Sequence, residues 1–97
     1  MSTFIMLANW SDQGIRAVKD SPKRLDAARA ALESAGGKLK SFYMTMGRHD
    51  MVFVLTAPDD AAAARFAVQL GQLGNVRTET LRAFEEAEYR QVVGSLK

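Results

Sequence analysis

The sequence predicts an α+β fold of the ferredoxin-like kind, a four-stranded βαββαβ sheet with an added C-terminal helix. Three observations carry that expectation. Two continuous apolar runs, Phe4-Ile-Met-Leu-Ala8 and Met51-Val-Phe-Val-Leu55, read as buried central strands. Two amphipathic segments between strand signals repeat at three- and four-residue steps. The strands at positions two and four carry Lys38, Lys40, Arg77, Glu79 and Arg82, the charges that protect sheet edges.

The elements follow in order. Thr3 to Ala8 is strand one, and the Asn9-Trp10-Ser11-Asp12 cluster supplies the polar punctuation after it. Ser21-Pro22 offers an N-cap followed by proline at the first helical position, where its missing N–H costs nothing. Leu25, Ala28, Leu32 and Ala35 then form one apolar stripe, and Gly36-Gly37 close the helix. Strand two is expected over Lys38 to Met46, with Leu39, Tyr43 and Thr45 on one side and Lys40, Phe42, Met44 and Met46 on the other.

Gly47-Arg48-His49-Asp50 is a hairpin signal, and Met51 to Thr56 is strand three. Pro58-Asp59-Asp60 sets carboxylates at the start of the second helix, whose stripe is Ala63, Phe66, Ala67, Leu70 and Leu73 before Gly74-Asn75 stops it. Val76 to Phe84 is strand four. A last helix follows, with Glu85, Glu86 and Glu88 at its start and Tyr89, Val92, Val93 and Leu96 spaced as a stripe.

Both helices between strands cover the same sheet face, so a continuous apolar strand leaves one set of side chains uncovered. Ile5, Leu7, Val52 and Val54 cannot share a face with Phe4, Met6, Phe53 and Leu55, because neighbours point oppositely. An isologous sheet-on-sheet homodimer is therefore expected, with the C-terminal helix as the rival cover.

Composition narrows the function classes. The 97 residues form a single domain, residues 1–97, that buries about 60–70 % of the surface of its unfolded chain, so a ligand pocket is expected more readily between copies than inside one. Thirteen basic and eleven acidic residues alternate in sign without a like-charge block, which argues against nucleic acid as a partner. There is no cysteine, one histidine, and no long apolar segment at the start. Disulfides, thiol nucleophiles and iron–sulfur clusters are excluded, a metal site is not expected, no membrane association is expected, and the cytoplasm is the default compartment. The cofactor is left open by the sequence.

His49 is the one histidine available for chemistry, with Asp50 beside it and Arg48 before it. Adjacent residues on a strand diverge, so a dyad needs the turn to bend them together; a solvated turn histidine and an amide-capping aspartate are the plain alternatives. Asn9 and Trp10 close strand one, where an amphipathic aromatic serves a partly wet contact, either dimer packing or ligand stacking. Tyr43, Arg77 and Glu79 complete the set of candidate ligand-binding residues; Arg77 and Glu79 read either as an edge ladder or as the wall of a polar pocket.

The segments NWSDQGI, KDSPKRLDAA, MGRHDMV and NVRTETLRAF…EY together resemble the GYD-domain family of small bacterial proteins over nearly the whole chain. His49 stands where that family carries its tyrosine, while Gly47 and Asp50 match. The resemblance implies a dimeric α/β-barrel assembly and a largely uncharacterised activity. The same hairpin resembles the effector-sensing domains of Lrp/AsnC-type regulators, here without a helix-turn-helix. The functional expectation is a homo-oligomeric small-molecule-binding or regulatory module. A cofactor-free or haem-assisted enzyme using His49, and a purely structural assembly protein, are the alternatives.

Overall fold

The computed structural model describes residues 1–97. It orders the chain as β1 (Ser2–Trp10), α1 (Asp12–Arg16), a 3-10 turn (Val18–Asp20), α2 (Ser21–Ser34), β2 (Lys38–Met44), β3 (Met51–Ala57), α3 (Asp60–Gln72), β4 (Val76–Ala83) and α4 (Glu86–Gly94). The four strands form one antiparallel sheet in the order β2-β3-β1-β4. The two apolar strands are central and the charged ones are the edges, which is the ferredoxin-like arrangement.

Pleating divides the sheet into two unlike faces. Phe4, Met6 and Ala8 of β1 and Met51, Phe53, Leu55 and Ala57 of β3 are buried with Ala28 and Leu32 of α2 and Ala62, Ala63 and Phe66 of α3. The intervening Ile5, Leu7, Val52 and Val54 are only half-buried, because no helix lies over them. This open face continues onto Leu81 of β4 and Tyr43 of β2, both exposed.

Helix boundaries follow capping chemistry. The Asp59 side chain accepts from the Ala62 N–H and starts α3, and Gly36 and Gly74, at φ +87° and +81°, end α2 and α3 in the left-handed conformation glycine tolerates. Ser21 is the first residue of α2 and not its cap; the preceding 3-10 turn puts Asp20 at the cap position without a side-chain bond. Helix α1 is capped by Ser11, whose Oγ accepts from the Gly14 N–H at 3.1 Å.

Three expectations need correction. A bulge between Leu39 and Ser41 inserts one residue into β2, so Leu39 joins Phe42 and Met44 on the helix-covered face. β1 runs two residues past Ala8, through Asn9 to its end at Trp10. Leu73 is the C-cap of α3 and is exposed.

Helix α4 leaves the body. None of its residues is buried, and Tyr89, Val92, Val93 and Leu96 stay exposed, so it does not roof the open face of its own chain. Its base is nevertheless fixed: Glu85 and Glu88 form a capping box, Glu85 Oε1 accepts from Lys40 Nζ and from Thr3 Oγ1, both at 3.2 Å, and Arg82 pairs with Glu88 at 3.6 Å.

Candidate functional site

The β2–β3 hairpin is laced to the end of β1. Asp50 Oδ2 accepts from the Trp10 N–H at 3.0 Å, Asn9 Oδ1 accepts from the Asp50 N–H at 3.0 Å, and Asn9 Nδ2 donates to the Arg48 carbonyl at 3.1 Å. The Thr45 hydroxyl donates to the His49 carbonyl at 2.6 Å. Asn9 and Asp50 thus spend their polar atoms on backbone groups of the turn and of the end of β1. Asp50 has its carboxylate on Trp10, and the His49 ring, half-buried, makes no hydrogen bond to it. Arg48 projects from the turn, exposed, and the adjacent Gly47 adopts φ +129°.

The remaining candidates spread across the sheet. Arg77 pairs with Asn9 in the β1–β4 register and Glu79 with Leu7, so both charged residues lie on the open face, with Thr78 and Thr80 on the other. No ion pair joins Arg77 to Glu79. Tyr43 pairs with Val52, which pairs with Leu7, so Tyr43 and Glu79 occupy the two ends of one row across four strands. Three strand spacings, about 14 Å, separate their backbones.

Trp10 belongs to the opposite surface. It pairs with Val76, sits in the same phase as Met6 and Ala8, and packs against the helix-covered core, so alternation removes it from any sheet-pairing contact. There it lines a half-open pocket of about 740 Å³ bounded by the sheet, α2 and α3. Sequence reasoning placed a pocket between copies; the structure has one within a single chain. Phe42, Met51 and Phe53 form its floor, Leu25 and Ala28 one wall, and Phe66 and Leu70 the other. The one sequence signal for it is the small side of α2, where Ala27, Ala28 and Ala31 stand opposite Phe66 and leave width between the helices.

Elsewhere charge is sparse in effect. The hydrogen bond from Lys40, the Lys40 charge and the Thr3 hydroxyl lower the pKa of Glu85. No group of three or more histidine, cysteine or acidic side chains converges where a metal ion could sit, and no helix is long and apolar enough to cross a membrane.

Residues 4–93 match the GYD domain. The chain belongs to the GYD domain family. A curated relative from Thermus thermophilus, described as glutamine synthetase and cystathionine beta-lyase binding protein, is 34 % identical over 89 residues, covering 91 % of this chain and 94 % of the relative. No solved structure matches. The match begins at Phe4 and ends at Val93, so within this GYD domain it takes in the laced hairpin, both sheet faces, the pocket and nearly all of α4.

Proposed function

We propose that this GYD domain is a homo-oligomeric regulatory module that acts by binding and not by catalysis. The observation that carries the reading is the open sheet face. Ile5, Leu7, Val52 and Val54 form an apolar centre ringed by Thr3, Asn9, Arg77, Glu79 and Lys38, and no part of the chain covers it. A second copy applied face to face brings identical apolar centres together and keeps the charged edges at the rim, the layout of a stable protein contact.

Two further observations support binding over chemistry. The relative is named for the enzymes it binds, so this chain is read as docking onto an enzyme in the same manner. The Asp50 carboxylate that would partner His49 in acid–base work is committed to the Trp10 amide.

The test is native mass spectrometry and light scattering of the full chain and of Val54→Glu, which puts a carboxylate at the centre of the open face. The reading expects a dimer or larger for the unaltered chain and a folded monomer for the variant. A second arm titrates glutamine synthetase and cystathionine beta-lyase by calorimetry. A monomeric unaltered chain that binds neither enzyme overturns the proposal.

A further inference from the structure

The 740 Å³ pocket lies on the face opposite the open sheet surface, so what it holds is independent of whether two sheets pair. Its volume falls in the range of small-molecule sites. Fourteen of its twenty lining residues are hydrophobic, which fixes the bulk of any occupant as hydrocarbon. The other six are Ser21, Pro22, Arg24, Gln69, Gln72 and Asn75; none is acidic, and Arg24 is the one charged side chain among them.

Arg24 is half-buried and held in place. Its Nη1 donates to the Ala17 carbonyl at 3.1 Å and its Nη2 to the Gly14 carbonyl at 3.2 Å. Those two bonds use two of five guanidinium N–H donors, so a fixed cation with free donors stands at the α2 side of an apolar space. Such a lining favours an anion over a cation at the head of the ligand.

Met51, Phe53 and Phe66 line the space yet are each at most 6 % exposed, so its floor lies deep. A hydrocarbon chain or a single ring is slim enough to reach such a floor, whereas an α-helix with its side chains is about 10–12 Å across.

We propose that this pocket binds an apolar carboxylate, an acyl or aryl acid whose hydrocarbon part lies along Phe42, Phe53 and Phe66 and whose carboxylate meets Arg24. Within the binding-module reading the acid is the effector the module senses. The assignment to a ligand class rests on the pocket and Arg24 alone.

Trp10, the single tryptophan of the chain, lines the pocket and reports on it directly. The experiment titrates the full chain with dodecanoate, dodecanol and dodecyltrimethylammonium, all below their aggregation limits, following Trp10 emission and calorimetric heat. Dodecanoate is expected to saturate at one molecule per chain with a blue shift, and the cationic analogue to bind at least tenfold more weakly. Arg24→Gln should weaken dodecanoate about tenfold while leaving dodecanol unchanged, the loss expected for one charge-assisted contact. Ala31→Phe, at an exposed position on the pocket wall, should block all three ligands; Ala27→Phe repeats the test should that variant fail to fold.

The proposal is overturned if dodecanoate does not saturate, if acid and cation bind alike, or if Ala31→Phe leaves the titration unchanged. It is likewise overturned if Ala31→Phe lowers the oligomer mass without touching dodecanoate binding, because the pocket wall then serves a helix of another copy. A monomeric chain that still discriminates acid from cation sinks the pairing reading and leaves this one standing.

Discussion

Removing the Asp50 side chain separates a hairpin lock from a ligand contact. Asp50→Ala takes the acceptor from the Trp10 N–H, 3.0 Å away and partly buried at the end of β1. A hydrogen bond to a charged group contributes about 1.5–3 kcal/mol, and the stranded amide adds to the loss, so about 2 kcal/mol is expected. Asp50→Asn keeps a neutral acceptor oxygen at the same reach and should lose roughly half as much. The backbone bonds from Thr45 N–H to the Asp50 carbonyl at 2.8 Å and from Asp50 N–H to the Ala8 carbonyl at 3.0 Å survive both changes, so the fold should persist. For a domain of this size the alanine variant should melt about 8–16 °C lower. The assay is urea and thermal unfolding at fixed protein concentration, since any oligomer ties stability to concentration. Because Asn9 accepts from the Asp50 amide at 3.0 Å, Asn9→Ala and Asp50→Ala should combine non-additively. Unaltered stability in Asp50→Ala, together with loss of a bound partner, would refute the lock and return Asp50 to the ligand-binding set.

Three other outcomes follow from single contacts. Met6, fully buried between β3 and β4, should cost about 2–5 kcal/mol on replacement by alanine, read from the urea midpoint. Gly14→Ala drives a methyl into the Asn75 carbonyl oxygen, a backbone atom that cannot turn aside, and should destabilise by about 1–3 kcal/mol with backbone shifts confined to α1 and the start of β4 in amide spectra. Glu85 should titrate below its ordinary 4.5 in a carboxyl NMR titration, and Lys40→Met should raise it toward that value. A depressed folded-state pKa means that the Lys40 contact stabilises the fold above the ordinary value and is lost as pH falls through the lowered one, so the two proteins should converge in stability at acid pH.

The element order and the identity of the central strands were legible because burial on both sides of a strand writes itself as an unbroken apolar run, as in Met51 to Leu55. The laced hairpin was half legible: aspartate after a glycine turn announces an amide cap, but its target, Trp10, lies 40 residues away in sequence and depends on the β1–β3 pairing. The β2 bulge was invisible, since alternation presumes one residue per step and Lys40 breaks the count without any glycine or proline to mark it. Helix α1 left only the Ser11-to-Gly14 spacing as a trace. The pocket was illegible for a different reason. It exists because alanines on α2 face Phe66 and Leu70 on α3 across the sheet, and the separation of two helices is a tertiary quantity that neither helix encodes alone.

The shape of the molecule bears on both proposals. A compact domain of about 100 residues has a radius of gyration near 13 Å, whereas this chain reaches 14.6 Å with extents of 52 × 31 × 18 Å. Eighteen ångströms is the thickness of one sheet and one helix layer, packed about 10 Å apart. The long dimension matches a rigidly based α4 that projects with its apolar stripe uncovered. The apolar open face and the α4 arm, based at Glu85 beside Thr3 and Lys40, are the two apolar surfaces that the chain leaves uncovered. If a second copy covers both, Val92→Asp on the arm and Val54→Glu on the sheet should each lower the oligomer mass seen by light scattering. Dissociation by Val54→Glu alone would assign pairing to the sheet and leave α4 for the proposed enzyme contact, a division that calorimetry with Val92→Asp would then expose as lost enzyme binding on an intact dimer.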